Sequence, residues 1–342
     1  MRRRGATLLS GALLLAILVV LAWQVQVPYV ELGPGPTWDT LGRDKGNDVI
    51  QISGAPTSAS DGQLRMVTVG VTDHISLWEA LRGWVNDQEA VVPREVIYPP
   101  GQTEQQVNQQ NEQEFKESQS SAETAALRVL GYPVRVTVQE VNAGAPASGH
   151  LQAGDVITSV DGKPVTSRQK LLDLTRSRPV GSTLAIGYTR GGAAGTTTIT
   201  TVKAEDGKTP IIGITAGQQQ PNPLEITISL SDVGGPSAGL MFSLGIIDKV
   251  KPEDLTGGLR IAGTGSIDDE GNVGAIGGIQ QKMLAARRDG ATIFLVPEPN
   301  CAEAAANAVP GLRLVKVSTL SGALDALQTL RQHASPPGCA AG

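Results

Sequence analysis

The sequence predicts an α+β fold, and three observations carry that prediction. Apolar and polar residues alternate over short runs, Val134 to Val138, Thr183 to Tyr188 and Leu224 to Leu230, with the period of half-buried strands. Longer segments, Ala122 to Leu130 and Ile279 to Arg288, repeat their apolar residues at helical spacing. The chain also spends 41 Gly and 21 Pro on turns between short elements, which argues against a helical bundle. Its 342 residues suffice for two compact domains.

Composition removes several kinds of chemistry. Three scattered histidines, His74, His150 and His333, offer no metal-ligand spacing, and two cysteines, Cys301 and Cys339, make neither a zinc ribbon nor a disulfide framework. Whether those two pair with each other is open at this level. No Gly-x-x-x-x-Gly-Lys-Ser/Thr phosphate loop occurs, so no nucleotide or other cofactor is expected. A net charge of −5 with 18% charged residues leaves no nucleic-acid footprint.

Residues 1–26 read as a basic stub and a membrane anchor. Arg2 to Arg4 precede 19 uncharged residues, Gly5 to Trp23, and a spanning helix needs roughly 17–25. No Lys or Arg follows until Arg43, so the positive-inside rule puts the amino terminus in the cytoplasm and the rest outside. A cleaved signal peptide fits less well, because Ala22 to Val27 lacks a small-x-small site. Gly33 to Pro36 is expected to be a rigid exit linker. Beyond it, Leu64 to Gly70 has strand character, and Ser76 opens a helix through Trp78, Leu81 and Trp84. The Gln- and Glu-rich stretch 102–118 reads as the wet first half of a helix that stops at Gly131 and Pro133. Strands then dominate 134–202, interrupted by a helix capped by Ser167. A hairpin with its turn at Asp269 to Asn272 precedes the helix that starts at Ile279; its acidic residues lack the twelve-residue spacing of a calcium loop.

One stretch suggests a nucleophile. Ser237 sits between Gly234-Gly235-Pro236 and the apolar run Leu240 to Ile247, which exposes a hydroxyl on a turn among free backbone N–H groups such as those around Gly235. Ser237 as a simple helix N-cap fits the same string. Lys282, flanked by Ile279 and Met283-Leu284, offers a base if burial neutralises it; a solvated surface lysine is the alternative.

Two resemblances join these pieces. Ala145-Pro146-Ala147, Leu151 to Ile157 and Val160 to Val165 resemble a PDZ domain of the bacterial protease type. That resemblance implies a peptide groove, assigned here to Gly131, Tyr132, Val134 and Val136, although Pro133 lacks an N–H for carboxylate capture. Gly235 to Gly239, Leu240-Met241, Leu255 to Gly257 and Ile276 to Ala286 with Asp289-Gly290 resemble, in order, the proteolytic domain of Lon-type peptidases. This implies peptide hydrolysis by a Ser237–Lys282 dyad with a supporting Thr256, and backbone N–H groups around Gly235, Pro236 and Ser237 are expected to hold the oxyanion. Lys116 to Ala126 is similar to the helix before the catalytic strand of that family, which implies a PDZ domain inserted in the peptidase fold.

The whole resembles small bacterial PDZ-containing Lon-like peptidases that are membrane-anchored and ATP-independent. The expected layout is an N-terminal contribution to the peptidase fold at 27–130, PDZ at 131–205, proteolytic domain at 206–335 and a flexible tail at 336–342. Expected partners are peptide or protein substrates, paired beside strand 224–230, and the membrane; homo-oligomerisation is left open. The expected location is the plasma membrane, single-pass, with an extracytoplasmic catalytic domain. The rivals are a catalytically silent PDZ scaffold, a Ser-His hydrolase using His74 or His150, and a Cys301 nucleophile.

Overall fold

Strand Gln63–Thr72 organises the first part of the chain, because it joins a parallel half-sheet to an antiparallel one. A computed structural model describes residues 2–86, 88–204, 206–230 and 233–340, with side chains from residue 11 onward. The chain divides into two units, Met1–Ala122 with Ile226–Gly342, and Glu123–Glu225. Among the described residues the α-helices are α1 (Arg2–Gln24), α2 (Leu77–Gly83), α3 (Glu104–Val129), α4 (Arg168–Arg176), α5 (Gly239–Val250), α6 (Ile279–Arg288), α7 (Cys301–Ala306) and α8 (Leu320–Arg331).

The first unit carries a six-stranded sheet in the order Arg313–Val317, Ile293–Pro297, Arg260–Gly263, Gln63–Thr72, Tyr29–Asp39, Ala90–Pro93. The first four are parallel and the last two antiparallel. All five residues of Ile293–Pro297 are buried, as expected where both faces of a parallel sheet are covered. On one face α6 and α7 pack Ile279, Met283, Ala286 and Ala304 against Val67, Ala262, Phe294 and Val296. On the other face lies α5. Gly263 leaves space there for Met241 and Leu295; a Cβ would come within 2.7 Å of the Met241 sulfur. α3 packs outside α5 through an edge-to-face contact of Phe115 with Phe242.

Several expectations change here. Gly33 to Pro36 is not a linker but part of strand Tyr29–Asp39, whose register shifts between Pro34 and Thr37. The bulge absorbs the prolines, which cannot donate to a ladder. Gly35 is required by the close approach of the next strand, since a Cβ would lie 2.4 Å from Thr68 Oγ1 and 2.8 Å from the Gly70 nitrogen. The tail expected to be flexible is tied down through Cys339. The Lys316 N–H donates to the Pro337 carbonyl at 2.9 Å, and Cys339 forms a disulfide with Cys301. Among the described residues no helix is long and apolar enough to cross a membrane. The side chains of residues 1–10 lie outside those described, and from Leu13 to Leu21 α1 exposes its large apolar side chains.

The second unit is built on strands in the order Ala193–Thr200, Thr183–Arg190, Val156–Val160, Arg135–Val141, Ile214–Gln219. Val136, Ile157, Leu184 and Leu171 of α4 share its core. Asp155 is buried and accepts two bonds from Arg190, at 2.7 and 2.8 Å, which hold its carboxyl below the usual range and fix the turn before Val156–Val160. Strand Ile214–Gln219 pairs with Arg135–Val141, so the PDZ sheet runs past the expected edge at 205. Likewise, the unit starts at Glu123 inside α3 rather than at 131.

The tight crossing at Gly35 yields a prediction. Gly35→Ala should destabilise the first unit by about 1–3 kcal/mol, the usual cost of overpacking. Thermal denaturation followed by circular dichroism would show it as a lowered melting temperature.

Candidate active site

The loop before α5 is held from three directions. The Gly235 N–H donates to the Asn111 carbonyl of α3 at 2.9 Å, and Ser118 Oγ of α3 donates to the Pro236 carbonyl at 2.9 Å. The Ser237 carbonyl accepts from the Gly265 N–H at 2.9 Å and from Thr264 Oγ1 at 3.0 Å. Gly235 sits at φ +81°, a conformation that glycine adopts without a Cβ penalty. Ser231 and Asp232, the start of this motif, lie outside the described residues.

Ser237 is not the helix cap. Ala238 occupies the N-cap position of α5, with no side-chain capping bond. Among the described residues the Ser237 hydroxyl has no hydrogen-bond partner, and the N–H groups of Ser237 and Ala238 have no acceptor. This corrects the expected oxyanion site. Gly235 has committed its N–H to Asn111 and Pro236 has none, so the donors left are Ser237 and Ala238.

Lys282 belongs to the first turns of α6, which opens on Gly278 in the left-handed region at φ +67°. A Cβ on Gly278 would lie 2.5 Å from Val69 Cγ2, so glycine lets the helix start against strand Gln63–Thr72. The lysine is 4% exposed and its Nζ donates to Thr264 Oγ1 at 3.2 Å. Burial pushes its ammonium down from 10.5 to about 8, with no carboxylate contributing. Ser237 and Lys282 line one cavity of about 350 Å³, with Met66, Thr68, Val69 and Gly70 of the central strand. Thr264 bridges the two halves, accepting from Lys282 and donating to the Ser237 backbone.

Thr256 does not support the lysine. It is buried at the opposite end of the strands, where its Oγ1 donates to Asp254 and accepts from the Gly62 N–H at 3.1 Å. Gly62 precedes strand Gln63–Thr72, whereas Thr264 follows strand Arg260–Gly263. The threonine beside Lys282 is therefore Thr264, marked in sequence only by its place directly after an apolar strand.

A second cavity, about 540 Å³, lies between the Asn111, Glu112, Phe115 and Lys116 face of α3 and residues 228–230, and it shares Val233 and Gly234 with the first. The strand expected over 224–230 is shorter, Glu225–Ile228, and pairs with Ile50–Ser53.

No histidine lines the Ser237 cavity. His150 Nδ1 lies 2.8 Å from Thr197 Oγ1, while His74 sits beside Asp73 and Glu104. Those three residues form a group of metal-ligand types, but Arg94 donates to both carboxylates and makes the cluster an ion-pair network. Cys301 is a disulfide partner and not a free thiol.

Of the residues expected to line a peptide groove, Val136 is fully buried in a strand paired on both sides, so it offers no edge. A cavity of about 310 Å³ runs instead between α4, through Arg168, Leu171 and Thr175, and residues 210–216. Strand Ile214–Gln219 ends the sheet. The signal was Pro210-Ile211-Ile212-Gly213, an apolar loop ahead of an alternating strand.

The PDZ domain family matches residues 105–201, and the Lon protease (S16) C-terminal proteolytic domain matches residues 231–327. Lon protease of Clostridioides difficile (strain 630) is 42% identical over 64 residues, 19% of this chain and 8% of that protein. Lon protease 2 of Bacillus subtilis (strain 168) is 34% identical over 95 residues, 27% of this chain and 16% of that protein. The chain thus spans less than a fifth of the length of these relatives. The crystal structure of the PDZ domain of an SdrC-like protein from Listeria monocytogenes is 38% identical, covering 24% of this chain and 85% of that one with a TM-score of 0.23. The chain combines a PDZ domain with a Lon-type proteolytic domain.

Two predictions follow from the geometry. Between about pH 8 and 10.5 the unfolded chain binds more protons at Lys282 than the folded one, so the stability cost of burying the ammonium is full below pH 8 and is relieved as pH rises. Lys282→Met removes that cost, on the order of 3 kcal/mol at most, and should raise the melting temperature at pH 7. Ser118→Ala deletes the bond to the Pro236 carbonyl and should lower stability by about 1 kcal/mol. It should also slow phosphonylation of the Ser237 hydroxyl severalfold, measured with a serine-directed fluorophosphonate probe that loses fluoride.

Proposed function

We propose that the chain is a membrane-anchored serine endopeptidase that works without ATP and uses Ser237 and Lys282 as its dyad. The observation that carries this reading is the shared cavity: among the described residues, the serine hydroxyl is uncommitted, two N–H donors are free and the buried lysine meets no carboxylate. With its ammonium at about 8, roughly a tenth of Lys282 is a neutral amine at pH 7. The amine takes the Ser237 proton as Oγ bonds to the scissile carbonyl carbon, and the Ser237 and Ala238 N–H groups receive the oxyanion. Lys282 then returns the proton to the leaving nitrogen as the C–N bond breaks. Water, deprotonated by the same amine, hydrolyses the acyl-enzyme and regenerates Ser237. Thr264 orients Lys282 while it holds the Ser237 carbonyl, so the base and the oxyanion donors are fixed by one hydroxyl.

An extended substrate fits the cavity between α3 and residues 228–234, which leads into the Ser237 site. The PDZ groove between α4 and strand Ile214–Gln219 suits an added peptide strand. Arg168 and Arg176 on its α4 wall favour an acidic or carboxyl-terminal ligand. Exposed apolar side chains on α1 and the Arg2 to Arg4 cluster support an anchor with the catalytic unit outside the cytoplasm. The Cys301–Cys339 disulfide supports the same oxidising location.

Purified full-length protein in detergent, given an unfolded protein and no nucleotide, should cleave it with a rate that rises to a plateau above about pH 8. Ser237→Ala and Lys282→Met should each reduce cleavage at least about a thousandfold while circular dichroism stays native. Failure of a serine-directed probe to label Ser237 would leave the silent PDZ scaffold as the function.

A further inference from the structure

Helix α2 carries an apolar face that the fold leaves uncovered. Leu77, Trp78, Leu81, Trp84 and Val85 recur at the spacing of one helix face, and Trp78, Trp84 and Val85 are 48%, 56% and 83% exposed. The helix is a designed element and not a frayed turn. Ser76 and Glu79 form a reciprocal capping box, and Ala80 and Gly83 turn inward. At Gly83 a Cβ would meet Val91 Cγ2 at 2.5 Å, so α2 sits directly on the sheet, with Trp84 half-exposed and edge-on to Tyr29 and Trp78 and Leu81 outward.

The same face is continuous with the end of α1. The Leu77 N–H donates to the Val25 carbonyl at 2.9 Å, the Val27 N–H donates to the Ile75 carbonyl at 3.0 Å, and Gln26 bridges to Ser76. Trp23, 66% exposed, and Trp78 border one shallow cavity. Three of the four tryptophans of the chain, Trp23, Trp78 and Trp84, therefore stand where α1 leaves off. Tryptophan prefers the headgroup level of a bilayer.

We propose that α2 docks in the lipid headgroup region beside the exit of α1, so that the peptidase unit lies on the bilayer through a fixed second contact. The occupant is lipid because the patch continues the exposed apolar surface of α1, and because indole rings flank it with Arg82 at its edge. This rests on the anchor reading of α1.

The test uses the full chain with Trp23→Phe and Trp38→Phe, leaving Trp78 and Trp84 as reporters, in phosphatidylcholine–phosphatidylglycerol vesicles. Flotation after a carbonate wash reports α1, and quenching by phosphatidylcholine brominated near the headgroup reports α2. Expected are carbonate-resistant flotation and loss of at least half the emission, with weaker quenching by lipid brominated near the chain ends. In the same background, Leu81→Glu with Trp84→Glu should keep flotation and lose most of the Trp78 quenching. Flotation without quenching overturns the docking and leaves the anchor; blue-shifted, unquenched emission would assign the face to a second copy of the chain. Quenching in neutral buffer without carbonate-resistant flotation overturns the anchor and keeps the docking. Neither signal overturns both.

Discussion

The candidate site depends on an ammonium buried, among the described residues, without a counter-charge. A lysine in this position would ordinarily be neutralised by a carboxylate or turned to solvent. Here its one hydrogen-bond partner among the described residues is a threonine hydroxyl, and the charge is disfavoured by burial alone. A carboxylate nearby would stabilise the ammonium and remove the base. The apolar packing of α6 against the sheet is thus at once the core of the unit and the cause of the lowered lysine pKa.

Everything around that lysine serves to bring a hydroxyl to it without ion pairs. The parallel strands end at Gly263 and Thr264, α5 starts from the opposite face, and α3 holds the intervening loop by two carbonyl contacts. The bonds all fall on backbone atoms of residues 235–237 and leave the Ser237 side chain uncommitted. Rigidity of the loop and freedom of its one reactive oxygen are compatible because different atoms carry them.

How much of this was legible in the sequence depended on whether the property was local. The candidate nucleophile and base stand in strings that describe their own surroundings, a glycine-flanked turn and an apolar helix start. Thr256 and Thr264 look equally suitable on paper. Only the direction of the parallel strands separates the end that carries Gly62 and Thr256 from the end that carries Thr264 and Lys282. The central place of strand Arg135–Val141 was hidden for a related reason: alternation in 134–138 marks a strand but not whether it is central or at an edge, and its neighbour Ile214–Gln219 arrives late in the chain. Gly33 to Pro36 read as a linker because the pattern of a bulged strand and that of a turn-rich connector are alike until the partner strand is seen.

That last strand limits what the proposed peptidase can reach. Tyr29–Asp39 is an inner strand of the catalytic sheet, and four residues separate it from the end of α1. Four extended residues span at most about 14 Å. For a chain tethered through α1 there is no arm to swing on, and the catalytic cavity stays within roughly one domain's thickness of the bilayer. On the proposed function, reach becomes a matter of altitude: segments that hang close to the membrane come within range, and those held further out do not.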